Sequence, residues 1–529
     1  GGRVNTEKSC SLIEALEKSE NIIIDKTLKN IYADWISKNP FETTTAWAKE
    51  PWSQKEMPID EKIVLNAAKD NDAALILIGR SSGEDHDNSV KEGSYLLTKE
   101  EYDLIRKVGL AFKNTIVVLN IGNIVDLSFL DDCNVTSLLT VWQGGEMGAL
   151  AVADLLTGKE SPSGKLPDTI VKDIMDYPAS ADFDETDESV YYEDIFVGYR
   201  YFETFKKDSV RYPFGFGLSY TDFDINFRCE LVGNTANITA EVKNTGKLKG
   251  REVVQIYCKK PCLELSNPAR ELVAYKKTTL LSPGESEVLN INIDLNSLCS
   301  YDDGGVTGHR SCYVLLPGVY EIFGGTDIRS AEKILEFKND ELKELIKLSE
   351  VSAPVKPFDR LTAEFKDGSY KEVYKPAPLK TTDTLKIISD NRPKDLEITG
   401  DKGIKLIDVK TNKNSLDEFV SQLSKDAMRR FIVGEGMNSP KVTDGTGAAF
   451  GGLDFELASL GIPACCVTDG PSGLRIEDGS KATLIPNGTL FASSFDDELT
   501  EEIFTLLGAE AYRYNIDGLL GPGLNIHRD

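Results

Sequence analysis

The stretch that decides the fold of the first part of the chain is "DAALILIGRSSGEDHDNS", residues 72–89. Its first half is a short apolar run that ends at Gly79, and its second half is rich in Ser, Gly and acidic residues. An apolar run of this length bounded by Gly predicts a buried β-strand. Polar residues directly after it predict an exposed loop at the carboxyl end of that strand, where α/β proteins bind ligands.

Four side chains in this loop are candidates for chemistry: Glu84, Asp85, His86 and Asp87. The position alone does not separate them, because residues in Gly/Ser loops are more often solvated than functional. Asp87 is also suited to capping a turn, and His86 to a polar surface position. The loop therefore predicts a candidate site without naming its acting residue.

Residues 1–215 alternate apolar runs with amphipathic segments, which predicts an α/β unit with a mainly parallel sheet. The predicted strands and helices are "NIIID" (21–25), "ALILIG" (74–79), "TIVVLNI" (115–121), "SLLTVW" (137–142), a helix over 99–113 and a helix over 145–158.

The rest of the chain changes character three times. Residues 216–345 contain short alternating strands with Gly, Pro and Asn turns, which predict an all-β sandwich of immunoglobulin or fibronectin type III kind. Residues 346–415 are rich in Lys, Asp and Pro and predict a linker, an extended connection that could contain a few strands. Residues 416–529 begin with a helix over 416–434 and continue as strand, loop, helix and strand. That order predicts the opening of a new α/β domain.

Composition excludes several classes of function. A net charge of −26 argues against nucleic acid and anionic membranes as partners, because both would be repelled. No apolar run is long enough to predict a membrane span. Nine cysteines without paired CxxC spacing and only three histidines predict reduced thiols in a cytoplasm and no metal site.

A second candidate site lies in "VTDGPSGLR", residues 467–475. Asp469 follows an apolar run, where its carboxylate could accept hydrogen bonds from sugar hydroxyls or could cap a turn. Taken alone, the stretch favours the structural interpretation. Arg475 could pair with a carboxylate in a site or lie on the surface. The Gly-rich stretch 445–452 matches no phosphate-binding pattern.

Together these segments resemble glycoside hydrolase family 3 over nearly the whole chain. The resemblance is carried by "GRSSGEDHDN" (79–88), "VWQGGEMGALAVADLLTG" (141–158), "GYRYFET" (198–204), "YPFGFGLSYTDF" (212–223) and "TDGPSGLR" (468–475). The order of the parts is similar to a domain-reversed subgroup of β-glucosidases. The implied fold is an α/β sandwich, then a fibronectin type III-like β-sandwich, then the start of a (β/α)8 barrel.

The resemblance also implies that the chain is a fragment. "GGRVN" at the start is similar to a segment just inside the first domain, so its first strand would be missing. "GPGLNIHRD" at the end is similar to an early barrel strand, so most of the barrel would follow Asp529. We expect the 529-residue chain alone to be inactive, because the family's nucleophilic Asp lies on a later barrel strand.

The resemblance then assigns roles. Family members of this type are retaining enzymes with two carboxylates about 5–5.5 Å apart. Glu84 matches the general acid/base, Asp469 matches a sugar-binding residue, and Arg475 belongs to the same motif. Asp85, His86 and Asp87 become loop context.

The implied function is hydrolysis of terminal non-reducing β-D-glucosyl residues from short β-glucosides. Two alternatives stay open: a β-xylosidase or other exo-glycosidase of the family, and a non-catalytic carbohydrate-binding protein. The mechanism that the resemblance implies requires no cofactor. The expected partner is a small β-glucoside or oligosaccharide, without nucleic acid or membrane. A homo-oligomeric assembly is left open.

Overall fold

The computed structural model describes residues 9–42, 49–81, 87–182, 188–350 and 352–523. They form a first unit (9–220), a sandwich unit (223–347), a connecting segment (352–403) and a third unit (404–523). The domain boundaries at 215, 345 and 415 stay predictions. In the described ranges, no helix has the length and apolar character needed to cross a membrane.

The first unit is built on a parallel three-stranded sheet in the order β1-β2-β3, with helices packed against it and a small antiparallel pair, β4-β5. Its elements are α1 Leu12–Glu17, α2 Lys26–Lys38, α3 Glu61–Asp70, β1 Ala74–Gly79, α4 Lys99–Ala111, β2 Thr115–Asn120, α5 Phe129–Asp132, β3 Ser137–Thr140, α6 Gly148–Leu156, β4 Ile170–Val171, α7 Tyr199–Phe205 and β5 Val210–Tyr212.

The core of this unit contains alternate residues of a strand and one face of a helix. Alternate residues of β1, Ile76 and Ile78, are buried, as the two-residue repeat of a strand requires. Leu104, Ile105 and Val108 lie on one face of α4 and belong to the same buried cluster. This packing fixes the sheet so that β1, β2 and β3 all end at the same edge.

One predicted strand is wrong. Residues 22–25 of "NIIID" are extended but pair with no described strand, and Ile23 is 94% exposed. The side chain of Asp25 instead accepts hydrogen bonds from the backbone N–H groups of Thr27 and Leu28. An N-cap of this kind starts a helix, so the segment leads into α2.

The sandwich unit has one three-stranded and one four-stranded antiparallel sheet, in the orders β10-β7-β6 and β14-β13-β8-β9, with a smaller sheet β11-β12-β15. Its strands are β6 Phe223–Val232, β7 Thr235–Asn244, β8 Val253–Lys259, β9 Glu271–Lys277, β10 Ser286–Asp294, β11 Ser300–Asp302, β12 Cys312–Leu315, β13 Gly318–Gly325, β14 Glu332–Asn339 and β15 Lys343–Lys347. Alternate residues of β7, from Ala236 to Val242, are fully buried between the sheets.

The connecting segment contains strands, as the sequence allowed, and a short helix. It contains β16 Asp359–Lys366 and β17 Ser369–Pro376, which form an antiparallel hairpin, and α8 Thr384–Asp390. Leu361 and Ala363 of β16 are buried against Phe196 and Phe202 of the first unit. The hydroxyl of Ser266, from the sandwich unit, donates to the carbonyl of Ala363 at 3.1 Å. The hairpin therefore contacts both earlier units.

The third unit contains the sheet β18-β19-β20, in which β18 is antiparallel and β20 parallel to β19. Its elements are α9 Leu406–Lys410, α10 Leu416–Ser421, α11 Lys425–Val433, β18 Ala448–Gly451, α12 Phe455–Ser459, β19 Ala464–Asp469, α13 Gly488–Ser494, α14 Asp497–Arg513 and β20 Gly518–Leu520. The connection from β19 through two helices to a parallel β20 matches the predicted opening of an α/β domain. The predicted class, α/β plus all-β over several domains, is confirmed.

The single helix predicted over 416–434 is wrong in one respect, because it is two helices. The side chain of Ser424 accepts a hydrogen bond from the N–H of Ala427 and starts α11. Gln422, just before it, is buried and accepts hydrogen bonds from the N–H groups of Lys402 and Ile404. Through these bonds, the break between the two helices holds the chain that precedes α9 against the third unit.

Candidate functional site

The loop after β1 begins at the sheet edge. Glu84, Asp85 and His86 lie outside the described residues. Asp87 is described and exposed. The geometry of this candidate site therefore comes from the residues that flank it on both sides.

The amino-terminal flank is held by Arg80 and Ser81. The Arg80 guanidinium pairs with both carboxylate oxygens of Glu101 on α4, and its Nε donates to the carbonyl of Ser94 at 2.9 Å. The N–H of Ser81 donates to the carbonyl of Trp52 at 2.8 Å. These contacts fix the direction in which the chain leaves β1.

The carboxyl-terminal flank is held by Asn88, which is 8% exposed. Its side-chain oxygen accepts a hydrogen bond from the Ser94 hydroxyl at 2.7 Å and from the N–H of Ser89 at 3.0 Å. Ser94 thus contacts both flanks, through its carbonyl on Arg80 and its hydroxyl on Asn88. The two ends of the loop are tied to one short segment of chain.

A second loop at the same edge, after β3, contacts the third unit. The N–H of Glu146 donates to the carbonyl of Leu484 at 3.0 Å, and the N–H of Asn487 donates to the carbonyl of Gln143 at 3.1 Å. Gly145 lies between them with a φ of 69°, and a Cβ there would be 2.7 Å from the Leu484 carbonyl oxygen. Only glycine allows this close approach of two backbones.

Asp469 is the last residue of β19, and its side chain is 43% exposed. One carboxylate oxygen lies 3.4 Å from a guanidinium nitrogen of Arg475, whose Nε donates to Glu477 at 2.9 Å. Both carboxylates raise the pKa of the Arg475 guanidinium, Glu477 more than Asp469. The structure therefore brings Asp469 and Arg475 together. The Asp469 carboxylate remains accessible and can accept hydrogen bonds from hydroxyl groups.

The Asp469 loop is joined to the contact between the units. The N–H of Ile485 donates to the carbonyl of Ser472 at 2.9 Å, and Ile485 is adjacent to Leu484. One segment, 484–487, therefore contacts both the Asp469 loop and the β3 loop.

The β1 loop and the β3 loop leave the same edge of the sheet. Since adjacent strands are about 4.8 Å apart, β1 ends about 10 Å from β3 along this edge.

Sequence reasoning missed the residues that join the units. Gln143, Leu484 and Asn487 act through backbone groups, which the sequence does not distinguish. The adjacent glycines Gly144 and Gly145 were the available signal, because paired glycines mark close backbone approaches. No group of three or more His, Cys, Asp or Glu suited to a metal ion occurs in the part of the chain that the structure describes.

Two family models match the chain. Residues 4–220 match the glycosyl hydrolase family 3 C-terminal domain, and residues 252–328 match the fibronectin type III-like domain. A β-glucosidase of Ruminococcus albus is 44% identical over 528 residues, covering 100% of this chain and 55% of that protein. β-Glucosidase A of Butyrivibrio fibrisolvens is 34% identical over 542 residues, covering 90% of this chain and 64% of that protein.

Solved structures show the same similarity. A β-glucosidase from Paenibacillus barengoltzii superposes with a TM-score of 0.96 at 44% identity, covering 100% of this chain and 59% of that one. β-Glucosidase 3B from Thermotoga neapolitana, solved with α-D-glucose, has a TM-score of 0.59 at 34% identity and covers 65% of this chain and 48% of that one. The chain thus spans less than two thirds of the length of these relatives.

Proposed function

This chain belongs to glycoside hydrolase family 3, and from that membership we propose that the protein is a retaining exo-glycosidase. Its substrates are short β-glucosides, from which it releases the terminal non-reducing β-D-glucosyl residue. One observation supports a shared site most directly: the first unit and the Asp469 loop are joined through the backbone bonds of Gln143 and Glu146 to segment 484–487.

In this proposal Glu84 is the general acid/base. It protonates the glycosidic oxygen while a nucleophilic Asp, on a part of the protein past Asp529, attacks C1. It then removes a proton from the water that hydrolyses the glycosyl-enzyme. The flanks of its loop support this role, because Arg80 and Asn88 tie both ends to the Ser94 segment.

Asp469 and Arg475 bind the sugar. The Asp469 carboxylate accepts hydrogen bonds from hydroxyls of the glucosyl residue, and charge assistance makes such bonds stronger than neutral ones. Arg475 holds the carboxylate in place from one side, with Glu477 as its second partner. The glucose complex of the Thermotoga relative supports a glucosyl ligand.

The remaining parts of the proposal concern the environment of the protein. All nine cysteines are free thiols, which supports a reducing compartment, and we place the protein in the cytoplasm. The partner is a small β-glucoside or oligosaccharide, and the catalysis proposed here uses acid/base and nucleophilic chemistry of carboxylates.

Glu84→Gln in the complete gene product tests the proposal, with Asp87→Asn in the same loop as the matched control. We expect Glu84→Gln to lower kcat/KM on cellobiose about 10²–10⁴-fold, because that leaving group needs protonation. An activated aryl β-glucoside should lose far less in the glycosylation step. Asp87→Asn should resemble the parent protein.

Three results would contradict the proposal. Equal losses of kcat/KM on cellobiose and on the aryl glucoside would show that Glu84 is not the general acid. Hydrolysis of aryl β-xylosides in preference to aryl β-glucosides would agree with the family assignment and show that the substrate sugar is xylose. A complete gene product that binds glucosides and hydrolyses none would be a carbohydrate-binding protein.

A further inference from the structure

The turn between α13 and α14 contains an unusual residue. Phe495 has φ 47° and ψ 42°, the left-handed helical conformation, although it is a bulky aromatic residue. This conformation strains residues with a Cβ and is ordinarily filled by Gly or Asn. Phe495 is nevertheless only 6% exposed. Such strain persists only where the surrounding structure holds the residue in place, so contacts of the Phe495 side chain must offset it.

The ring of Phe495 packs against the other two units. Its centroid lies 6.0 Å from that of Phe214 in the first unit and 5.2 Å from that of Tyr275 in the sandwich unit, both nearly edge-to-face. The same buried cluster includes Val253 and Tyr257 of the sandwich unit. Among the described residues, Phe495 is the one member of this cluster from the third unit.

The residues just before Phe495 make polar contacts across the same boundary. The N–H of Lys165 donates to the carbonyl of Ser493 at 2.9 Å. The ammonium of Lys277 donates to the carbonyl of Ser494 at 2.7 Å and to that of Ser163 at 3.1 Å.

A further hydrogen bond lies at the start of α14. The Tyr275 hydroxyl donates to Asp497 at 2.5 Å. Residues 493–497, which we call the docking turn, therefore contact both other units through apolar and polar groups at once.

We propose that Phe495 is a positioning residue: its ring anchors the third unit to the first and sandwich units and so sets where the Asp469 loop lies relative to the β1 edge. The sandwich unit thereby takes part in the reaction without contacting substrate, since β9 supplies both Tyr275 and Lys277. The effect on catalysis rests on the proposed function, whereas the docking itself does not.

A local role for Phe495 predicts something different. If its ring only stabilised the bend between α13 and α14, glycine would serve at least as well, because glycine adopts the left-handed conformation without strain. Phe495→Gly keeps the turn and removes the ring. Phe495→Ala removes the ring and keeps the strain.

Hydrogen exchange of three backbone amides reports docking directly. Glu146, Lys165 and Asn487 each donate across a boundary between units. In Phe495→Gly we expect these amides to exchange at least tenfold faster, while Val117 in the first sheet and Leu519 in β20 keep their protection.

The control for this experiment is Phe491→Ala. The centroid of the Phe491 ring lies 5.5 Å from that of Phe504 inside the third unit, with the two rings tilted by 50°, so this change should affect that unit alone. Phe495→Leu, which keeps an apolar side chain, should restore most of the protection at the boundary. Unchanged exchange in Phe495→Gly, or equal acceleration throughout the third unit, would overturn the proposal.

Kinetics on the complete gene product test the positioning role. We expect Phe495→Gly to lower kcat on an aryl β-glucoside at least tenfold with little change in KM, because misplaced groups chiefly lose transition-state stabilisation. Accelerated exchange with unchanged kcat would overturn the positioning role. If the parent protein hydrolyses no glycoside, the proposed function fails, and the exchange data still decide the docking.

Discussion

The guanidinium of Arg80 and the carboxylate of Glu101 form a bidentate ion pair, with both N–O distances at 2.7 Å and both side chains almost completely buried. Glu101 also completes the capping box of α4, accepting from the N–H of Thr98 at 2.8 Å. One carboxylate thus joins the end of β1 to the start of α4. This makes the pair a structural support of the candidate loop.

Breaking this pair should destabilise the protein strongly. Glu101→Gln is expected to lower the free energy of unfolding by about 3–5 kcal/mol, because it leaves the Arg80 charge buried without its counterion. Urea denaturation measures the change. Asp103→Asn is the matched control on the same helix, since its ion pairs with Arg106 and Lys107 lie at the solvent-accessible surface and should contribute far less to stability. A loss no larger than that of the control would contradict the assignment.

The hairpin of the connecting segment should contribute to the stability of the first unit. Leu361→Ala is expected to cost about 2–5 kcal/mol, because Leu361 is 1% exposed and packs in the first unit's core. Leu385→Ala, at a position 78% exposed, should change stability by less than about 0.5 kcal/mol. Thermal or urea unfolding checks both. Equal effects would show that the hairpin is not packed in solution.

Lys277 should give the protein a measurable pH dependence of stability. Burial lowers the pKa of its ammonium from 10.5 to about 8, more strongly than Asp496 and Glu252 raise it, and Arg251 and Lys165 lower it further. The folded protein therefore binds fewer protons than the unfolded one between about pH 8 and 10.5. In that window the Lys277 contribution to the free energy of unfolding rises with pH, by at most about 1.4 kcal/mol per unit.

Lys277→Met should remove this rise. Urea denaturation at pH 8 and pH 10 gives the difference for each protein. Lys276→Met, the exposed neighbour on β9, should keep the parent's dependence. An identical dependence in both variants would show that Lys277 is solvated.

Asp469→Asn should weaken the proposed enzyme in the complete gene product. Loss of a hydrogen bond to a charged group is worth about 1.5–3 kcal/mol, which corresponds to a decrease of about 10–150-fold in kcat/KM on an aryl β-glucoside. Asp478→Asn is the control, because that exposed carboxylate accepts hydrogen bonds from the neighbouring Ser480 within its own turn. Equal activity in both variants would leave Asp469 as a turn-capping residue.

Much of the fold could be predicted where one periodicity dominates. The strands over 74–79 and 115–120 and the helix over 99–111 follow directly from apolar spacing. The errors fall where capping competes with hydrophobic pattern, as at Asp25 and Ser424. A side chain that satisfies backbone N–H groups decides the start of a helix more strongly than an apolar run decides a strand.

The sequence allowed a few strands in the linker, and one signal specifies that they form a hairpin. Asp367 and Gly368 form the two-residue turn between β16 and β17, both with positive φ, and Asp-Gly flanked by alternating residues is typical of such hairpins. The composition of the segment, rich in Lys and Pro, obscured this pattern.

The candidate site was predictable only in part. Asp469 and Arg475 are six residues apart on one loop, so their proximity follows from the sequence. The contact of Gln143 with Asn487 joins backbone groups 344 positions apart. No side-chain pattern encodes such a contact. The assignment of Glu84 to acid/base chemistry depends on resemblance and stays a prediction.

The β16–β17 hairpin also limits how this architecture can be re-engineered. The sandwich unit receives the chain from the first unit, and the hairpin that follows returns to the first unit's core through Leu361 while bonding Ser266. If the sandwich unit were replaced by that of another protein, the chimera should therefore fold only if the hairpin were replaced with it or its contact with Ser266 were kept. The exposed turn at Gly233, by contrast, should accept inserted tags or reporter peptides without disturbing either neighbour.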